Sequence, residues 1–231
     1  MKSDLPKVLH QIHGSPMIMI LLDTLGTLKL DRTVIVVGHK GEDVQTALAG
    51  YPVSFVWQRE QLGTGHAVMM AREAMADFDG VTLVVAGDVP LLSAKSIRHL
   101  LQVHETTGAA ATCLSAVFPD PTGYGRIIHA SDSDRLLDII EHKDASEEIR
   151  RITEVNSGTF CFDNQALFEV IDQLGNNNAQ REYYLTDVVK IFNRKGLRVS
   201  VVKAEHPEEV QGVNSIEDLE EVASRKSRID D

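Results

Sequence analysis

Three short segments carry residues whose chemistry stands out from their surroundings. In VVAGDVPLL, Asp88 follows an apolar run, with Gly87 before it and Pro90 after it. A carboxylate directly after a buried parallel strand is placed to bind a divalent cation beside ligand phosphates, although an Asx turn or a helix cap would use the same residue. In QREQLGTGHAV, Gly63 and Gly65 flank Thr64 between a strand and a helix. Such a turn lets backbone approach a ligand closely, offers a hydroxyl and presents the N–H groups of a helix N-terminus; a tight turn needing only small residues reads the same way. In MKSDLPKVLH, Pro6 fixes its own φ and drives Leu5 towards an extended conformation. Lys7 therefore sits on a stiff turn, either aimed at a partner or part of a solvated tail.

Other polar positions say less individually. DPTGYGRI is a glycine-containing turn before a strand, while Glu141 in IIEHKDA and Asn156 in EVNSG could each be ordinary polar residues on an exposed edge. The nine histidines show no pair at metal-ligand spacing on one helix and no H-E-x-x-H, which argues against zinc chemistry. His66 and His142 read as packing or hydrogen-bonding residues, and Met69 and Met70 as core. Covalent hydrolase and P-loop readings lose ground because neither G-x-S-x-G nor G-x-x-x-x-G-K-[ST] occurs.

The elements that must position these residues alternate. SPMIMILLDTL reads as a helix capped by Ser15 with Pro16 in its first turn. RTVIVVGH is then a buried strand, GEDVQTALAG a helix, VSFVWQ a strand, GHAVMMAREAMADF a helix and VTLVVAGDVP a strand, the pattern of a parallel sheet flanked by helices. Beyond Gly108, AAATCLSAVF, GRIIHA, LLDIIEHK and TEVNSGTFCF are strands close together in sequence, which implies a partly antiparallel region. Helices return at NQALFEVIDQL and YYLTDVVKIFNRK, LRVSVVKA is a strand, and SIEDLEEVASRKSR is a charged terminal helix. In open sheets of this kind ligands bind beyond the C-terminal strand ends.

With 231 residues, 43% hydrophobic and 25% charged, the chain can bury a core without staples. Its formal charge of −11 and the lack of a basic stripe argue against nucleic acid; a small anionic ligand needs only a few local cations or a helix terminus. Cys113 and Cys161 lie in apolar strand-like runs and read as reduced core residues in a cytoplasmic setting. No stretch has the length of a membrane span, and the start lacks a signal-peptide pattern.

In order along nearly the whole chain, SDLPKVLH, QLGTGHA, AGDVPLL, DPTGYGRI, EHKDA, EVNSG, NNNAQREYYLTD and EVQGVNS resemble the uridylyltransferase domain of bacterial N-acetylglucosamine-1-phosphate uridylyltransferase. The resemblance implies an α/β fold with a Rossmann-like mixed sheet of the nucleotide-diphospho-sugar transferase type. It implies reaction of UTP with N-acetylglucosamine 1-phosphate, assisted by Mg²⁺, to give UDP-N-acetylglucosamine and pyrophosphate. Position by position, it gives Lys7 a phosphate-binding and catalytic role and places Gln58, Gly63 and Thr64 at the uracil end. Asp88 and Asn214 become the metal ligands, with Ala86 and Gly87 beside the nucleotide and Gly125, Glu141 and Asn156 on the sugar side. Asn214 alone would read as the cap of the helix it precedes.

The resemblance also implies a domain over residues 1–214, followed at 215–231 by a helix leading towards an acetyltransferase domain whose hexapeptide repeats do not occur here. Trimer formation, largely owed to those repeats, is not implied. Relatives place a first strand and a loop of the form L-A-A-G-x-G-T-R-M ahead of the segment matching SDLPKVLH, so the fold is expected without them and with weakened nucleotide binding. A sugar-nucleotide-binding domain without catalysis, or a transferase for another sugar 1-phosphate, are the alternative readings.

Overall fold

In the computed structural model, which describes residues 4–130 and 134–229, the longest apolar runs form the middle of one mixed sheet. The chain begins with two-residue strands β1 (Gln11–Ile12) and β2 (Ser15–Pro16), helix α1 (Met17–Gly26), strand β3 (Val34–Val37), helix α2 (Gly41–Ala47) and strand β4 (Ser54–Trp57). Helices α3 (Thr64–Met70) and α4 (Arg72–Met75), strand β5 (Val81–Val84) and helix α5 (Ala94–Thr107) follow. Strands β6 (Ala111–Val117), β7 (Arg126–His129) and β8 (Leu136–Ile140), helix α6 (Glu147–Arg150) and strand β9 (Glu154–Asp163) come next. Helices α7 (Asn164–Val170) and α8 (Asp187–Arg194), strand β10 (Val199–Lys203) and helix α9 (Ile216–Ile229) end the described chain.

The main sheet runs β10-β6-β9-β7-β8, and β5 joins it by pairing antiparallel with the C-terminal half of β9. Strand β6, parallel to β10 and antiparallel to β9, is buried on both faces, which is why ATCLSAV shows no polar alternation. Successive residues of β9 feed opposite layers: Phe160 and Phe162 pack with Phe192 and Val188, while Cys161 packs with Leu114, Leu100 and Leu21 on the other side. Cys113 and Cys161 are buried and unbridged, as expected. Strands β3 and β4 form a separate parallel pair. Among the described residues, the second edge of β3 and the second edge of β5 have no strand partner, and both strands are mostly half-buried.

Several local readings change. Ser15 is not the cap of α1: Pro16 is the N-cap, no side chain bonds there, and Ser15 pairs with Ile12 in the small β1–β2 ladder. The parallel character expected of the first strands holds for β3–β4, but β5 is antiparallel to its one partner and stops at Val84, leaving Asp88 in the following turn. Helix α5 was not expected. Only one narrow face, with Ile97, Leu100 and His104, is buried, and its clearest signals are terminal: Ser93 accepts from Ser96 N at its start and left-handed Gly108 ends it. Tyr183–Thr186 precede α8 as irregular chain, where the sequence pattern suggested helix. Helix α9 packs back on the body through Val222, buried with Ile12, Met17, Leu91 and Val213. Among the described residues no helix is long and apolar enough to cross a membrane.

Candidate functional site

Lys7 lies in a single 3-10 turn, Lys7–Leu9, whose start is set by Pro6 and whose end is held by buried Leu9. Its ammonium forms a short ion pair with Asp88 Oδ2 and donates to Asn214 Oδ1 at 2.9 Å. Three residues far apart in the chain thus share one point. The Asp88 and Asn214 loops are tied together by Val213 N, which donates to Asp88 O at 2.9 Å. Asn214 does not cap α9. Ser215 does, its Oγ accepting from Asp218 N at 3.0 Å, while Asp218 Oδ2 accepts from both Asn214 N and Ser215 N at 2.8 Å. This reciprocal box leaves the Asn214 side chain to point at Lys7. Burial pushes the Asp218 carboxyl up, but the backbone N–H groups of Asn214 and Ser215, the Ser215 hydroxyl and the Lys7 charge together hold it below its ordinary value. Ala86 is half-buried against the core, and a Cβ at Gly87 would lie 3.3 Å from Val8 Cγ1, so both stand beside the Lys7 turn.

Two hard oxygens, one of them anionic, on mutually bonded loops suit a small divalent cation that keeps most of its waters and shares ligand phosphates. The Lys7 ammonium already brings a positive charge to those oxygens. Among the described residues no group of three or more His, Cys, Asp or Glu could hold a metal ion, so such a cation would depend on those waters and phosphates.

The glycine turn is built differently from what its sequence suggests. Gly63 adopts φ +104°, and a Cβ there would lie 2.7 Å from Tyr183 O and 2.8 Å from Glu182 Cβ; at Gly65 it would lie 2.6 Å from Leu174 Cδ1. The close approach these glycines permit is made by the protein's own 182–183 backbone. Tyr183 N donates to Leu62 O at 2.8 Å and Gly65 N to Tyr183 O at 2.7 Å. The Thr64 hydroxyl accepts from Leu185 N at 3.2 Å. Gln58 Nε2 donates to Gly63 O at 2.9 Å and lies 3.1 Å from His66 Nδ1, which accounts for His66 as a hydrogen-bonding residue. Gln58, Gly63 and Thr64 therefore form one unit beyond the end of β4.

Gly125, Glu141 and Asn156 form another. Gly125 O accepts from Asn156 N at 2.8 Å, and a Cβ at Gly125 would lie 3.3 Å from Glu141 Oε1. Burial raises the Glu141 carboxyl above its ordinary value, opposed by the Thr186 hydroxyl, which donates to Oε1 at 2.9 Å. Asn156 is not at a strand end: it sits inside β9 at an irregularity in the pairing with β6, where its Oδ1 accepts from Gly158 N at 2.9 Å. A cavity of about 610 Å³ opens beside Glu141, walled also by Asp144, Asn178 and Tyr184.

The model of the MobA-like NTP transferase domain matches residues 1–159. The chain belongs to that family. Among its curated relatives, the Bifunctional protein GlmU of Halalkalibacterium halodurans is 48% identical over 229 residues, covering 98% of this chain and 50% of the relative. The protein of the same name from Listeria monocytogenes is 50% identical over 214 residues, covering 93% and 46%. That from Shouchella clausii is 47% identical over 214 residues, covering 93% and 47%. The chain thus spans about half the length of the curated relatives it matches. Among solved structures, apo UDP-glucose pyrophosphorylase superposes with a TM-score of 0.70 over 97% of this chain and 91% of that one, at 14% identity. The mixed-sheet nucleotidyltransferase fold expected from the eight ordered segments is the fold observed, and the chain is a nucleotidyltransferase by family.

The residues that sequence reasoning missed are those that hold the expected ones. Asp218 and Ser215 orient Asn214; the S-x-x-D spacing just before the terminal helix was the available signal. Thr186 bonds Glu141 while its neighbour Leu185 bonds Thr64, so NNNAQREYYLTD is the strap between the two outer groups. Asn178 braces that strap by donating to Glu182 O at 2.6 Å and accepting from Glu182 N at 3.2 Å. Tyr124, next to Gly125, packs its ring against Phe118 with centroids 5.1 Å apart.

Proposed function

We propose that this chain transfers a uridylyl group from UTP to N-acetylglucosamine 1-phosphate with Mg²⁺, releasing pyrophosphate. The observation that carries the reading is the convergence of Lys7, Asp88 and Asn214, together with the Gln58–Gly63–Thr64 unit and the Gly125–Glu141–Asn156 unit that Leu185 and Thr186 link to each other. The order and spacing of those segments, shared with the resembled uridylyltransferases, support the substrate assignment. A phosphate oxygen of the sugar phosphate attacks the α-phosphorus of UTP, the bond to the bridging oxygen breaks, and pyrophosphate departs with that oxygen and its electron pair. No protein nucleophile is required; the chain positions the two substrates and balances charge.

Asp88 and Asn214 would hold Mg²⁺, which when bound neutralises phosphate charge. Lys7 supplies a positive charge to the phosphates, with Ala86 and Gly87 lining the nucleotide beside it. At the uracil end, Gln58 has its Nε2 committed to Gly63 O, which turns its amide oxygen to a ligand N–H that uracil has and cytosine lacks at N3. On the sugar side, Glu141 and Asn156 present acceptors and a donor to hydroxyl and acetamido groups across Gly125. The test is pyrophosphate release with Mg²⁺, UTP or CTP, and a series of sugar 1-phosphates. Product with UTP and N-acetylglucosamine 1-phosphate supports the reading; binding of UDP-N-acetylglucosamine with no product from any pair replaces it with a binding domain. Lys7→Ala is expected to lower turnover about a hundredfold, about 3 kcal/mol of transition-state stabilisation, by analogy with loss of one charge-stabilising donor.

A further inference from the structure

The two oxygens best suited to a divalent cation both bond the same ammonium. We propose that Lys7 and a divalent cation compete for one position between Asp88 and Asn214, so that Lys7 blocks cation binding until nucleotide phosphates draw its side chain away. The inference rests on the reading of Asp88 and Asn214 as the cation's ligands.

The geometry makes the lysine side chain the part that moves. Asp88 and Asn214 sit on loops linked by the Val213 N to Asp88 O bond, and the Asn214 backbone is held by Asp218. The Lys7 backbone is fixed as well, by Pro6 ahead of it and by buried Leu9, whose N–H donates to Pro6 O at 2.9 Å. Only the four-carbon stem between those fixed points is long and partly solvated, with 38% of the side chain exposed against 20% for Asp88. An ammonium and a hydrated cation seek the same lone pairs and repel each other at this range, so each excludes the other. A polyphosphate offers the displaced ammonium a new anionic partner, and the vacated oxygens then accept the cation. Nucleotide and cation therefore assist each other's binding, and by linkage the assistance is mutual.

The consequence has an unusual sign: removing a catalytic cation strengthens metal binding to the nucleotide-free protein. Mn²⁺ alone, titrated into the full chain and followed by electron paramagnetic resonance, is expected to bind Lys7→Ala and Lys7→Met about five- to tenfold more tightly than the parent, the scale of losing one partly exposed ion pair and its neighbouring bond. Asp88→Asn is expected to lose that binding. In the unsubstituted protein, reductive methylation of Lys7, read by peptide mass spectrometry, is expected to rise as Mn²⁺ is added. If folded Lys7 variants bind Mn²⁺ no more tightly than the parent while Asp88→Asn abolishes binding, the competition is refuted and the ligand assignment stands. If Asp88→Asn binds as the parent does, the ligand assignment fails and the competition with it. Should the Lys7 variants not fold, the methylation measurement decides: unchanged reactivity at saturating Mn²⁺ overturns the proposal.

Discussion

Replacing Asp218 with alanine removes the acceptor for two backbone N–H groups, those of Asn214 and Ser215, each bonded at 2.8 Å. Bonds to a charged acceptor are worth more than neutral ones, but this carboxylate is partly solvated and water can take its place, so the capping range applies. The expected loss is about 1–2 kcal/mol, confined to the loop before α9. The helix itself is retained, because Val222 and Val213 remain buried with Ile12 and Met17. Hydrogen exchange resolved to single amides is the assay. A loss of that size speeds exchange at Asn214 and Ser215 about five- to thirtyfold at neutral pH, with little change in the core strands. The pH dependence adds a second check. The carboxyl is held below its unfolded value, so its stabilisation is present at neutral pH and is lost as pH falls through the folded value. Parent and variant exchange, corrected for intrinsic rates, therefore begin to converge as pH falls below the unfolded carboxyl's value of about 4, and meet below the folded one. Equal protection of both proteins at pH 7, or a difference that persists undiminished in acid, refutes the assignment of Asp218 as the brace of Asn214.

Gly63→Ala places a Cβ 2.7 Å from Tyr183 O at φ +104°, combining backbone strain of about 1–3 kcal/mol with a backbone clash. A loss of at least about 3 kcal/mol in urea denaturation is expected, and a loss under 1 kcal/mol would show that the 182–185 strap yields freely. Glu141→Gln reports the buried carboxyl. Because its folded value lies above the unfolded one, its favourable contribution exists in acid and disappears as pH rises through the folded value. The variant is therefore expected to melt higher than the parent at pH 8 but not at pH 4, while KM for the sugar 1-phosphate rises about tenfold with the loss of a charge-assisted bond. Thermal melts at the two pH values check the first part; a variant less stable at pH 8 contradicts it.

Much of this architecture was readable from local pattern. Strands β3, β4, β6, β9 and β10 lie where their apolar runs place them, and in β6 and β10 burial on both faces removes any need for alternating polar residues. The family was legible as well, because its marks are turns: the stiff turn at Pro6, the glycines around Thr64 and the turn at Asp88 keep their local spacing whatever surrounds them. Helix α5 escaped because one narrow buried stripe containing a histidine resembles a solvated segment.

Composition and periodicity describe how each residue relates to its near neighbours, and that was enough for most element types and for two buried, unbridged cysteines. They carry no information on which loop ends meet. Lys7 reaches Asp88 across 81 positions and Asn214 across 207, through backbone bonds such as Val213 N to Asp88 O that any residue but proline could make. For the same reason the cap of α9 falls to Ser215 and not Asn214, and the glycines at 63 and 65 receive the protein's own chain. Those choices depend on three-dimensional packing between distant segments, which leaves no periodic trace in the residues that make it.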